Sequence, residues 1–269
     1  MKKIIAYLLC VLCLTGCSNP EYSNSEKYSF GNTEINGTVK NIAVDWQSGD
    51  VNIVTHEKDS ILLFEESDTD LDDEKMVHWW QDGDTLRIKF SRSGLKYLFS
   101  KGKDLTLAIP GNIVYDSIKI NTSSADIEAE ALVAKELNIE TSSGSIDICC
   151  DSESIKLDTS SGEIDVMAEN LKSFVAESSS GDISLVSNVP TSECIIKSSS
   201  GDVDIDLPEN AKFTAKISVS SGEFSSDFAL FKEFATSEKE ETYVCGNGTS
   251  TLDIETTSGD ISICKILGD

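Results

Sequence analysis

Thr141-Ser142-Ser143-Gly144-Ser145-Ile146-Asp147-Ile148 decides the fold, because the chain keeps returning to it. It comes back as Thr159-Ser160-Ser161-Gly162-Glu163-Ile164, Ser178-Ser179-Ser180-Gly181-Asp182-Ile183 and Ser198-Ser199-Ser200-Gly201-Asp202-Val203. Further copies are Val219-Ser220-Ser221-Gly222-Glu223-Phe224 and Thr256-Thr257-Ser258-Gly259-Asp260-Ile261. A weaker copy carries Ala125 in place of the glycine, and an early one reads Gln47-Ser48-Gly49-Asp50-Val51. From 125 the steps are 19, 18, 19, 20 and 21 residues, then 37 to Gly259. A fixed period near 20 residues is the mark of a solenoid, in which stacking of repeats makes the core that no repeat has alone.

Working outward from each glycine, apolar residues stand two and four positions after it, as in Ile146/Ile148, Ile164/Val166, Ile183/Leu185, Val203/Ile205 and Ile261/Ile263. The positions five and seven before it are mostly apolar too, as in Ile139/Leu137, Leu157/Ile155, Ile196/Cys194 and Ile254/Leu252. Alternation on both sides of a Ser-Ser-Gly corner predicts two short strands, each with one buried face. The corner glycines Gly49, Gly144, Gly162, Gly181, Gly201, Gly222 and Gly259 are expected at positive φ, with the serines bonding the backbone around them. Three residues before most corners stands a Thr or Ser, placed so that inward hydroxyls of successive coils bond one another. The expected fold class is all-β, a β-solenoid (β-helix-like) of about 18–21-residue coils stacked in sequence order with an N-terminal capping β-region. A β-sandwich is disfavoured, since its turns recur every 8–12 residues or so without one repeated corner.

Four segments follow. Residues 1–16 read as a lipoprotein signal peptide: Lys2 and Lys3 precede an apolar run over 4–14, and Leu14-Thr15-Gly16-Cys17 matches the lipobox of bacterial lipoproteins. By that resemblance Cys17 is the site of lipid attachment, and residues 17–33 form a polar, flexible lipidated tether. Residues 34–116 hold the first coil and an inserted or capping β-region. That region includes Ile61-Leu62-Leu63-Phe64, the acidic loop from Asp68 to Glu74, Trp79-Trp80 and the run Leu105 to Pro110. Trp79 and Trp80 suit either the cover of a core end or a carbohydrate-stacking surface. Residues 117–269 are the β-solenoid repeats, with an excursion or degenerate coil over 223–250 around Phe228, Phe231 and Phe234, and closure near Ile266-Leu267.

The order of features, Ser-Gly-Asp-Val at 48–51, a strand pair ending at Pro110, then tandem Ser-Ser-Gly-x-Ile-x-Ile repeats, resembles the bacterial putative-adhesin, β-strand-repeat domains of unknown function. The resemblance covers about 34–266 and implies a β-solenoid at the cell surface; it brings no catalytic residues with it.

The formal charge of −25 becomes −27 once Lys2 and Lys3 leave, which opposes nucleic acid and anionic membrane surfaces as partners. Partners are expected to be the membrane, through the lipid, and an envelope protein or carbohydrate. Cys149, Cys150, Cys194, Cys245 and Cys264 remain in the mature chain, an odd number, and Cys150 and Cys194 fall on inward registers. Catalysis has thin support: the histidines are His56 and His78, both outside the regular repeats, and the serines sit where the backbone explains them. Catalytic residues and cofactors are therefore expected to be none, and the protein is read as no enzyme. The outward residues one and three places after each corner are mostly acidic, and Glu128, Asp147, Glu163 and Asp165 form the densest group, a candidate calcium site; the competing reading is a solvated face. Function is thus expected to be a binding, adhesive or scaffold module of the cell envelope, lipid-anchored and extracytoplasmic. The alternatives are an envelope-carbohydrate-active enzyme on a β-helix scaffold, or a cation-stabilised structural surface protein.

Overall fold

A computed structural model gives the fold and describes residues 22–92, 102–233 and 240–266. The expected coils are there. Each contributes one strand before its corner and one after, and each strand pairs in parallel, in register, with its equivalent in the next coil. Ile146 is opposite Ile127 and Ile164, Ile164 opposite Ile183, and Ile183 opposite Val203. On the other ladder Ile139 is opposite Ile120 and Leu157, and Ile196 opposite Ala176. The alternation read from the sequence thereby becomes two facing sheets, and the inward residues form one continuous core from Ile42 to Ile263. A register slip would turn every one of these side chains to solvent, which is what pins the stack.

The order of coils differs from expectation. The last coil in sequence, Ser250–Ser258 with Ile261–Lys265, does not sit at the end of the stack. It lies between the coil of Gly201 and the coil of Gly222 on both ladders. The amino-terminal end mirrors this. Asn41–Asp45 and Val51–His56 are flanked on one side by Tyr115–Asn121 and Ile127–Thr141, and on the other by Thr85–Lys89 and Asp104–Pro110. The last two strands make an outermost coil where the sequence predicted an inserted or capping β-region, and fourteen residues, 90–103, separate them in the chain.

Beyond the outermost coils the pairing turns antiparallel. Ile61–Glu66 covers Asp104–Pro110 and Thr33–Ile35 covers Ile61–Glu66 in turn; His78–Asp82 covers Thr85–Lys89, with Ser29–Phe30 beside it. At the other end Glu240–Val244 covers Phe213–Ser221 and pairs with Phe231–Lys232. The described residues of 223–250 combine the two readings, a short coil strand and then an excursion that pairs antiparallel. The coil strand is Phe224–Ser226, and the excursion covers an exposed strand edge. Phe228 enters the core against Phe213 with ring centroids 5.2 Å apart, whereas Phe231 is 76% exposed. Phe234 and Leu267 lie outside the described residues.

The expected tether over 17–33 is also folded from Tyr22 onward. Residues Ser25–Lys27 form a single 3-10 turn, and the strands after it pair with the cap. Tyr22 packs on Tyr28 at 4.9 Å and Tyr28 on Trp80 at 5.7 Å, both edge to face. These aromatic contacts supply the apolar area that a polar composition had concealed. The signal peptide and Cys17 lie outside the described residues.

Candidate binding surface along the coil corners

The corner is right in residue type and different in mechanism. Gly49, at φ 94°, and Gly222 and Gly259, both at φ 158°, have the expected positive φ, and the other four corner glycines do not. At Gly144, Gly162, Gly181 and Gly201 the requirement is space. A Cβ built on Gly162 falls 1.9 Å from the carbonyl oxygen of Gly144, one on Gly181 2.0 Å from that of Gly162, and one on Gly201 2.2 Å from that of Gly181. The ladder continues through Gly259 on Gly201, at 2.1 Å, and Gly222 on Gly259, at 2.0 Å, which repeats the crossed coil order. Each corner is stacked on the backbone of the one below, and a side chain would separate the coils.

The inward hydroxyls follow the expectation in part. Thr122 donates to the Thr141 hydroxyl at 2.7 Å, a bond between coils as foreseen. Thr159 and Thr256 instead donate to the glycine carbonyls of the adjacent coils, Gly144 and Gly201, both at 3.2 Å. Ser178 and Ser198, buried in the same column, have no hydrogen-bond partner.

At four corners the aspartate one place after the corner makes a bond that the sequence did not announce. The Asp126 carboxylate accepts the Ser145 backbone N–H, Asp182 that of Asp202, Asp202 that of Asp260, and Asp260 that of Glu223, each at 2.8 Å. Asp104 does the same for Asp50 at 2.9 Å. The bonding residues are all Asp, whose short side chain reaches the next coil's amide; that preference is visible in the sequence once the stack is known. Like charges stay close along this column. The Asp50 carboxyl is pushed above the ordinary carboxylate range, first by burial and then by Asp104 and Asp126. Asp182→Ala, which removes the acceptor, is expected to cost about 1 kcal/mol, and Asp182→Asn, which keeps an oxygen there, less than about 0.5 kcal/mol. Urea unfolding of the two variants checks this, and equal costs would mean that the bond contributes nothing.

Glu128, Asp147 and Asp165 do stand side by side on adjacent strands, facing outward. Glu163 stands two residues before Asp165, on the same side of the corner, and among the described residues no group of three or more His, Cys, Asp or Glu is placed to hold a metal ion.

The two histidines are engaged with backbone. His56 lies 3.2 Å from the Ala108 carbonyl through Nε2, and its Nδ1 accepts the Lys58 N–H at 3.0 Å. His78 is buried with Nδ1 2.8 Å from the Met76 carbonyl, and burial holds its pKa below the ordinary value. Trp79 packs against the core end, and the Trp80 ring is occupied by Tyr28 and by Lys27 Nζ at 4.7 Å. Of the candidate readings for these residues, the cover of a core end is the one the geometry gives. Cys150 and Cys194 are buried as expected, which pushes both thiols up to about 12, while Cys149 is exposed.

One charged pair was invisible in the sequence. Lys103 and Glu65 are only 2% and 5% exposed and meet at 2.6 Å. Lys103 Nζ also donates to the Lys75 carbonyl at 2.6 Å, and the second Glu65 oxygen accepts the Val77 N–H at 2.8 Å. Trp46 and Phe90 wall the ammonium, with ring centroids 5.1 and 4.6 Å from Nζ. Burial lowers the Lys103 pKa while the carboxylate pulls it back up.

The family model described as Toastrack DUF4097 matches residues 39–150 and again 149–264. No curated protein matches the chain. Among solved structures, one described as a putative cell adhesion protein, from Clostridium sporogenes, is 16% identical over 87% of this chain and 100% of its own, with a TM-score of 0.35. Another, described as a putative adhesin from Bacteroides fragilis, is 12% identical over 90% of this chain and 98% of its own, with a TM-score of 0.41. The two family matches together run from Val39 to Cys264 and take in every coil of the stack, so the chain belongs to the Toastrack DUF4097 family.

Proposed function

We propose that the protein is a lipid-anchored, extracytoplasmic module of the cell envelope that binds, adheres or scaffolds, and that it is not an enzyme. The observation that carries this reading is the in-register corner ladder. Serine and threonine pairs and carboxylates recur at one edge, coil after coil, about 4.8 Å apart. Such an array offers many equivalent weak contacts to an extended partner, a polysaccharide strand or a protein surface, and many weak contacts sum to useful avidity. The backbone bonds of both histidines favour binding over general-base catalysis. The anchor rests on Leu14-Thr15-Gly16-Cys17.

Two measurements test the proposal separately. Cys17→Ser is expected to abolish incorporation of labelled fatty acid and to release the protein from the membrane fraction; unchanged labelling would remove Cys17 as the lipid site. Beads coated with the chain lacking its signal peptide are expected to retain a defined component of envelope extract, reduced by competing soluble protein. Beads that retain nothing above a blank would sink the binding role.

A further inference from the structure

The flank of the stack at the second corner of the coils brings exposed apolar side chains and lysines together on an acidic molecule. Ala131, at φ 53°, marks a break in register between Ala129 and Leu132, and the bulge opens a notch beneath the neighbouring strand. The notch, about 290 Å³, is lined by Ala131, Val133, Cys149 and Met167 with Asp151 and Glu169 at its side, and an adjoining groove of about 310 Å³ shares Val133 and Asp151 and extends to Val114. Met167 is 51% and Val114 56% exposed, and Cys149, the register neighbour of Met167, is an exposed free thiol. Exposed apolar side chains grouped in this way mark interaction surfaces more than chance decoration.

Beside the apolar strip runs a column of alternating sign, one residue per coil: Asp116, Lys135, Glu153, Lys172. Lys135 is paired with Asp116 and Lys172 with Glu153, the second at 2.8 Å, and all four side chains are largely solvated. Lys135 also feels the Glu153 charge. A column of this kind is its own complement when reversed. Turned end for end, it sets Asp116 against Lys172 and Lys135 against Glu153, which is the relation a two-fold axis produces.

We propose that this flank is a docking surface for a second copy of the chain, packed with its stack antiparallel and with the two Cys149 thiols near the axis. A chain of net charge −25 repels its own kind, so self-contact is favoured where lysines and carboxylates alternate beside exposed apolar side chains, as they do here. The inference deepens the reading of the protein as a binding module by naming a partner for it. It does not depend on the lipid anchor.

The test uses the mature chain carrying Cys17→Ser, in reducing buffer, followed by sedimentation equilibrium across a wide concentration range. A monomer–dimer equilibrium is expected, weakened about tenfold or more by Met167→Asp and by Lys135→Glu. The swap Lys135→Glu/Glu153→Lys, which preserves complementarity of the reversed column, is expected to restore it. A short bismaleimide is expected to trap the dimer through Cys149, and Cys149→Ser to abolish trapping. Circular dichroism confirms that each variant is folded. A chain that stays monomeric throughout, a dimer indifferent to Met167→Asp and Lys135→Glu, or trapping that survives Cys149→Ser each overturns the proposal. Retention of envelope material by beads in the absence of any dimer would leave the binding role standing and this surface unassigned.

Discussion

Gly181→Ala is expected to destabilise the protein by at least about 3 kcal/mol, and Gly181→Val by no less. The reason is contact rather than conformation. A Cβ at this position comes within 2.0 Å of the Gly162 carbonyl oxygen and 2.6 Å of its carbon. Those atoms are backbone held in two parallel ladders, so they cannot swing aside as a flexible side chain would. Relief requires parting two coils, with loss of the flanking hydrogen bonds such as that from the Ile183 N–H to the Asp202 carbonyl and that from Ile164 to Asp182. Had positive φ been the requirement, alanine would cost only about 1 kcal/mol, the usual penalty for a non-glycine residue in that region. Urea unfolding of Gly181→Ala separates the two accounts, and a loss near 1 kcal/mol would return the corner to the conformational one.

The same residue shows how the sequence can be right about a position and silent about its cause. A repeated glycine announces a constraint. Whether the constraint is a dihedral or a neighbour 2 Å away depends on which backbone lies beneath, and that is a tertiary fact. The strand pairs were legible because alternation with period two is local: Ile146/Ile148 and Leu137/Ile139 state their inward faces without reference to anything distant. The coil order was not. Leu252/Ile254 and Ala215/Ile217 carry equivalent apolar patterns, and nothing in either says which lies outermost. The outermost amino-terminal coil reads in the sequence as an inserted or capping β-region for a related reason. Leu86/Ile88 and Leu105/Leu107 have the right alternation, but the corner between them has grown too long to match the period. On the candidate surface the acids after the corners are legible as a calcium site or a solvated face but not as backbone acceptors, because a carboxylate's bond to an amide one coil away leaves no local trace. The folded start at Tyr22 was hidden likewise, since its anchors, Trp80 and the strand His78–Asp82, lie some fifty residues on.

The buried pair is the extreme case of such long-range structure, and removing one of its partners is expected to have the largest effect of any side-chain truncation at the amino-terminal end. Lys103→Ala leaves the Glu65 carboxylate with the Val77 N–H alone, walled from water at 5% exposure. Glu65→Ala leaves the ammonium to the Lys75 carbonyl and the faces of Trp46 and Phe90. Each is expected to cost about 3–5 kcal/mol, the range for an uncompensated buried charge. The pair itself need not be worth that much. Two charges taken from water lose hydration about as large as their attraction, so Lys103→Met/Glu65→Leu is expected to recover most of the loss, because an apolar pair of similar volume fits the same aromatic walls. Urea unfolding of Lys103→Ala, Glu65→Ala and the double variant Lys103→Ala/Glu65→Ala gives the coupling energy directly. Additive losses would mean that the two residues act independently, and that the amino-terminal cap is held by its aromatic packing rather than by this contact. A strongly positive coupling would identify the pair as what ties three pieces of chain together: the covering strand of Glu65, the loop of Lys75, and the Lys103 backbone, whose carbonyl accepts the Trp46 indole N–H at 2.9 Å.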